Sequence, residues 1–370
     1  MTDAAQPNFY LRSAYLDWRR TEGLPVYEGF GIDCLEIELE PWARLGGRGA
    51  YVDVAGRGDF TNIYVAEIPP GDYLEREQHL YEETILVLKG HGTTTLELPD
   101  GSEHVVEWQE GSLFAIPLNA PHQHANASGR EPVRFAAVTT MPLMLNLFHN
   151  TGFIFENPYA FRDRLGDQRY LRGDGEYRAV RPGRNQWETV LVPNLYDFEL
   201  PAFDARGQGS KHLHFVLAES TMHAHMAEMP AGRYKKAHRH AAGANVFCAT
   251  GQGYSLLWLE GQSYKDAIRF DWKPGTVYAP PEEYFHQHFN TAGVPSRYLG
   301  IGFASVRYPV LQSTRYLYEN IDVGVEQGGT QIEFEDEMPE IYDLFVEELQ
   351  KAGTELDMPR VAPGRASVGV

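Results

Sequence analysis

Residues 232–253 read GRYKKAHRHAAGANVFCATGQG, and residues 275–290 read GTVYAPPEEYFHQHFN. Earlier in the chain, residues 71–92 read GDYLEREQHLYEETILVLKGHG and residues 111–126 read GSLFAIPLNAPHQHAN. Gly71/Gly232, Tyr73/Tyr234, His79/His240, Gly90/Gly251 and Gly92/Gly253 are each 161 residues apart. After a three-residue insertion, Trp108/Trp272, Gly111/Gly275, Pro117/Pro281, His122/His286, Gln123/Gln287, His124/His288 and Asn126/Asn290 are each 164 apart. Matches at one fixed offset, then at one other, mark an internal duplication.

Both copies are built from short Val/Ile/Leu/Phe/Thr runs separated by Gly, Pro and Asp. That texture predicts an all-β chain of two barrels or sandwiches. Working outward, residues 61–140 form the first barrel and 215–310 the second. Residues 1–60 read as an N-terminal arm with a short helix around AYLDWRRTEG, and 141–214 as a partly helical connector. Residues 311–370 hold a helix with Ile341, Leu344, Phe345 and Leu349 at helical spacing and an acidic outer face. The tail after Asp357 is expected to be loose.

With 370 residues and 43% hydrophobic content, the chain has globular composition. Its net charge of −19 argues against nucleic-acid or anionic-membrane binding, which need clustered positive charge. No stretch approaches the ~18 apolar residues of a membrane helix, and the start shows no basic-then-apolar leader. Two cysteines, Cys34 and Cys248, cannot build a disulfide framework and read as buried fillers. A cytoplasmic location follows as the expectation. A homo-oligomer is also expected, because short barrels leave edges that long arms commonly cover.

The chemistry lies in the histidines. His238 and His240 form an HxH pair, which on a strand presents both imidazoles on one face. His286 and His288 repeat the pattern some distance on. A metal such as Fe²⁺ needs ligands from several segments on one wall, with positions left open for substrate. Two histidines from one strand and one from a neighbour meet that need.

These spacings resemble the two-part signature of the cupin superfamily, G-x5-HxH-x3/4-E-x6-G followed by G-x5-PxG-x2-H-x3-N. Gly232, His238, His240 and Gly251, then Gly275, Pro281, His286 and Asn290, stand at the family positions. The layout is similar to a bicupin of the gentisate-type ring-cleaving dioxygenases. The resemblance implies two tandem double-stranded β-helix (jelly-roll) barrels and a mononuclear divalent metal, Fe(II) first, with Zn, Ni or Mn as the others. The expected function is an Fe(II) dioxygenase using O₂ on a small hydroxylated aromatic or enolic acid. Two alternatives stand beside it: a non-redox metal-dependent lyase, isomerase or decarboxylase, and a non-catalytic small-molecule binder.

The chain departs from the signature in both copies. In the second, the usual glutamate falls at Ala244, or at Asn245 with the longer spacing, leaving His238, His240 and His286 as the ligand set. In the first, Glu77 replaces the first histidine, while His79, Glu83 and His122 fall at the other positions. That set either is metal-free or forms a second, Glu/His/Glu/His site. His288 ranks as a substrate-contacting or substitute ligand, with Arg297 and Tyr284 as further catalytic candidates. Lys235, Lys236 and Arg239, with Arg134 in the first copy, are the other cations that could neutralise a carboxylate. Tyr254, Trp258, Tyr278, Phe285 and Phe289 line either a pocket for a ring or the barrel core.

Overall fold

The computed structural model describes residues 12–181, 184–240, 244–305, 307–310 and 322–362. Each copy folds into a wide sheet facing a three-stranded narrow sheet. In the first, the wide sheet runs Val26–Gly29, Arg48–Val54, Asn62–Ile68, Val133–Thr139, Glu83–Lys89, Leu113–Ile116 and Leu191–Val192, with Glu40–Pro41 beside Arg48–Val54. Opposite it lie His122–Asn126, His91–Glu97 and Glu103–Gln109. In the second, the order is Glu176–Arg181, Arg184–Thr189, Lys211–Leu217, His223–Met229, Ser296–Gly302, Asn245–Thr250, Thr276–Tyr278 and Gly31–Asp33. Its narrow sheet is Ile268–Trp272, Gly253–Trp258 and Phe285–Asn290. The chain is therefore all-β, two tandem jelly-roll barrels with short helical segments. Among the described residues, no helix is long and apolar enough to cross a membrane.

The duplication seen in sequence is a duplication of register. Phe135 faces Ala66 and Val87 in the first barrel, as Tyr298 faces Ala227 and Cys248 in the second. Gly92 and Gly253 explain why both copies need glycine at one place. A Cβ on Gly92 would meet the Ala125 carbonyl at 2.3 Å, and one on Gly253 the Phe289 carbonyl at 1.9 Å.

Two boundaries drawn from sequence cut through sheets. The arm up to residue 60 contributes Arg48–Val54 to the first barrel and sends Gly31–Asp33 onto Thr276–Tyr278 of the second. The connector gives Arg184–Thr189 to the second barrel and returns Leu191–Val192 to the first. Both barrels share one hydrophobic core, in which Phe215 and Leu299 of the second join Val65 and Phe135 of the first.

The expected helices form as Ala14–Glu22 and Pro339–Ala352. The Ser13 side chain caps the first by accepting from the Leu16 amide, and left-handed Gly23 ends it. The second buries Ile341, Phe345 and Leu349 against Tyr254 and Phe289 on the outer face of the second narrow sheet. The tail beyond residue 362 lies outside the described residues.

Candidate metal centre

In the second barrel the segment carrying the HxH pair runs antiparallel to Phe285–Asn290. The His238 amide donates to the His286 carbonyl at 3.1 Å, and the His286 amide returns the bond at 2.9 Å. This pairing sets His238 beside His286, with ring centroids 4.2 Å apart, and His240 4.7 Å from His286. One ligand nitrogen from each of the three lies within 4.8 Å of the others. Nδ1 of His238 is 3.2 Å from the Lys236 carbonyl, and Nδ1 of His286 is 3.3 Å from the Tyr284 carbonyl. Donation from Nδ1 leaves Nε2 as the lone-pair nitrogen, the tautomer a metal requires. Burial, reinforced by Arg206 and neighbouring histidines, drives the His238 pKa well below its ordinary value. Burial does the same to His286, helped by His240 and His288. Both rings are neutral at pH 7 and ready to ligate.

The first barrel repeats this backbone. Glu77 and His122 exchange amide–carbonyl bonds of 3.0 and 2.9 Å. Nδ1 of His122 lies 3.0 Å from the Ala120 carbonyl and Nδ1 of His79 lies 2.9 Å from the Tyr81 carbonyl. The charges differ, however. Glu77 is held by Arg44 at 2.8 Å, and Glu83 lies 3.3 Å from His79 Nε2 and accepts from the Tyr64 hydroxyl. Burial alone would lower the His79 pKa; the bond and charge of Glu83 outweigh it and raise it. This cluster therefore holds two internal ion pairs. His122 Nε2 is buried with no hydrogen-bond partner, 3.8 Å from Glu83 and 3.9 Å from Glu77.

Residues 64–139 match the family model described as the cupin domain. That match covers the first of the two barrels. An 87-residue stretch of the chain is 29% identical to auxin-binding protein 4 of Zea mays, and the match spans 22% of this chain and 42% of the maize protein. Among solved structures, a deletion mutant of Bacillus subtilis oxalate decarboxylase is 16% identical, with a TM-score of 0.49 over 80% of this chain and 84% of that one. The formate complex of Lactobacillus farciminis oxalate decarboxylase is also 16% identical with a TM-score of 0.49, over 78% and 90% of the two chains.

The other expected site residues divide by strand face. His288 points inward beside the cluster, 5.5 Å from His286, but is anchored elsewhere: its Nδ1 lies 2.8 Å from both Ser255 Oγ and Tyr278 Oη. Trp272 donates to the same Ser255 Oγ at 3.1 Å. The first barrel has the same relay, with Trp108 donating to Thr94 Oγ1, which lies 2.7 Å from His124. Tyr284 contributes its carbonyl to His286.

Arg297, expected as a carboxylate clamp, is on the opposite face from Tyr298. Its Nε lies 2.7 Å from Glu228, and its Nη1 donates to the Leu195 and Phe198 carbonyls. Arg134 does the same work in the first barrel, with Glu67 and the Leu35 carbonyl. Arg134 thus pins the N-terminal arm, and Arg297 the connector, to a barrel wall. Lys236 pairs with Glu333 and Arg239 with Glu260. Of the aromatics, Tyr254, Trp258, Phe285 and Phe289 pack in the cluster beneath the C-terminal helix, which answers to the core alternative and not to the ring pocket. Tyr278 faces inward, hydrogen-bonded to Ser255.

Sequence reasoning missed the wall opposite the cluster. His212, His214 and His225 gather there, with ring centroids 4.5 to 5.9 Å apart, next to Arg184, Arg206 and Tyr298. Gly300 makes room for His225; a Cβ there would sit 2.3 Å from the imidazole Cε1. The available signal was two further HxH patterns, HLH at 212–214 and HAH at 223–225, each on a strand.

Proposed function

We propose that this bicupin is a metal-dependent enzyme with its catalytic centre in the second barrel, an iron(II) dioxygenase of gentisate-like type acting on a small hydroxylated aromatic or enolic acid. One observation supports this reading above the rest: three imidazoles, those of His238 and His286 buried and driven neutral and that of His240 half-buried, converge where the fourth signature position is Ala244. A divalent ion held by neutral donors keeps its full charge and several coordination positions for substrate oxygens. When bound, such an ion supplies Lewis acidity and, as iron(II), access to O₂.

The chain's own residues set the rest of the site. His238 and His286 are fixed in the ligating tautomer by the Lys236 and Tyr284 carbonyls. Ser255 and Tyr278 hold the His288 ring against the space beside them. The wall is cationic although the whole chain is acidic, which suits an anionic substrate.

The test is O₂ uptake by tag-free, iron-loaded protein over hydroxylated aromatic acids and enolisable keto acids. One O₂ consumed per substrate, abolished in His238→Ala, supports dioxygenation. CO₂ release or isomerised product without O₂ uptake replaces it with the non-redox enzyme. Saturable uptake of a ligand without turnover replaces it with a binding protein, the role that the maize relative's name describes for that protein.

A second ion in the first barrel has two observations in its favour: the unpartnered, buried Nε2 of His122, and the ligand atoms of Glu77, His79 and His122 within 4.8 Å of one another. Against it, Arg44 and His79 already neutralise Glu77 and Glu83. We take the first barrel to work as an ion-paired, structural copy.

A further inference from the structure

We propose that the inner wall of the second barrel carries an anion site built on Lys235 and the Tyr298 hydroxyl, which takes a carboxylate of the substrate that the metal does not hold. The inference rests on the proposed function only in placing this site beside the three histidines.

Lys235 is 2% exposed, and no carboxylate pairs with it among the described residues. Its Nζ has one polar partner, Tyr298 Oη at 3.3 Å, and sits 4.9 Å from the centre of the same ring. An ammonium buried without a counter-ion is costly, and proteins rarely keep one that serves no purpose. Glu228 is the carboxylate whose field reaches Lys235, and Arg297 and Lys211 each hold it at 2.7 Å. Arg184 and Arg206, both buried, add positive charge on the same side; Asp322 bridges the two, at 2.5 Å and 3.5 Å. Burial, with these two guanidiniums, pushes Lys235 down to about 7, the direction that a bound anion would reverse.

The fold does not require this lysine. The Lys235 amide donates to the His288 carbonyl at 3.1 Å, and at the same place in the first barrel the Leu74 amide donates to the His124 carbonyl at 2.9 Å. Leu74 is 1% exposed, and Phe135 stands where Tyr298 does. The copy with the ion-paired cluster thus has Leu and Phe; the copy with the open histidine set has Lys and Tyr.

The position also narrows the substrate. The Tyr298 ring lies 4.7 Å from His288, which lies 5.5 Å from His286, so two rings separate Lys235 from the metal ligands. The class that fits is a small acid whose carboxylate and metal-facing oxygens are separated by a ring or short chain. An acid that chelates through adjacent oxygens alone would leave Lys235 unmatched.

The test uses the full-length chain stripped of metal, with formate and benzoate as probes and calorimetry and thermal unfolding as readouts. Wild type should bind at least one probe saturably, and Lys235→Met should bind it about tenfold or more weakly. Tyr298→Phe, which installs the first barrel's residue, should weaken binding by a smaller factor. Unliganded Lys235→Met should melt higher than wild type, since it removes an uncompensated buried charge. No saturable binding of either probe by wild type, or equal binding by wild type and Lys235→Met, would overturn the proposal. The metal reading is checked apart from it: Lys235→Met should load as much metal as wild type.

Discussion

The two barrels share a backbone but not an interior. At matching register positions the first carries Tyr64, Leu74, Val87, Phe114 and Phe135, and the second His225, Lys235, Cys248, Tyr278 and Tyr298. The first set belongs to the shared hydrophobic core. The second is mostly polar and lies in the barrel of His238, His240 and His286, the first and last of which burial holds neutral. The metal-signature residues diverge in the same sense. The first barrel has two carboxylates, each with a cation or hydrogen-bond donor beside it; the second has histidines and no carboxylate at position 244. The two copies share one scaffold, and in the proposed reading internal charge compensation in one leaves the other as the place where an outside ion and ligand complete the charge balance.

The strongest way to break this comparison is to exchange interiors. Leu74→Lys should bury an unpaired ammonium in the packed first barrel and destabilise the chain by about 3–5 kcal/mol in urea unfolding. A loss under about 1 kcal/mol would mean the first barrel has polar space of its own.

Acid should act on the second barrel more than on the first. His212, His225, His238 and His286 are driven well below their ordinary pKa, burial first. Below about pH 6.5 the unfolded chain binds protons that these buried rings refuse, so their contribution to stability is present above that pH and lost as pH falls. Metal-free protein should lose protection of second-barrel amides first in hydrogen exchange between about pH 6.5 and 5. Simultaneous loss in both barrels would remove this asymmetry.

Ala244→Glu sharpens the comparison by giving the second barrel the carboxylate of the first. Ala244 immediately precedes the strand Asn245–Thr250, two residues before Val246, as Glu83 stands two residues before Ile85 in the first barrel. Metal retention during dialysis at stepped pH should shift to lower pH, with affinity higher by about tenfold. An unchanged midpoint would show that position 244 does not reach the ion.

The smallest effect concerns the helix on the second barrel's outer face. Glu337 is bonded to the Tyr234 hydroxyl and to Gln287 Nε2, both at 2.6 Å, and burial raises it to about 7. Its folded pKa exceeds its unfolded value, so it lends stability that is full at low pH and lost as pH rises through about 7. Glu337→Gln should flatten the melting temperature between about pH 5 and 8 without touching the first barrel. A pH profile identical to wild type would show that this carboxylate does not titrate there.

Much of this comparison was legible in the sequence. The fixed offsets located both barrels and aligned Glu77 with His238, Glu83 with Ala244 and His122 with His286, because register and turn glycines tolerate little drift. What escaped depended on non-local pairing or strand face. Gly31–Asp33 is a strand because Thr276–Tyr278 lies beside it, which no local pattern encodes. Nearness in sequence to the histidines groups Tyr254, Trp258, Phe285 and Phe289 with them, whereas period-two alternation sends Ser255 and His286 inward and those rings under the helix. Charge and position alone point to Arg297, yet its strand face commits it to Glu228. The same alternation applied to HLH and HAH would have found the wall of His212, His214 and His225.

The central claim is that the second barrel is the metal-binding copy, and bound metal per chain tests it most directly. Tag-free wild type, His240→Ala and His79→Ala, purified alike and dialysed against chelator-free buffer, are compared by inductively coupled plasma mass spectrometry. The account predicts about one ion in wild type and in His79→Ala, and near none in His240→Ala. Metal kept by His240→Ala but lost by His79→Ala would contradict it, as would two ions in wild type with each variant losing one.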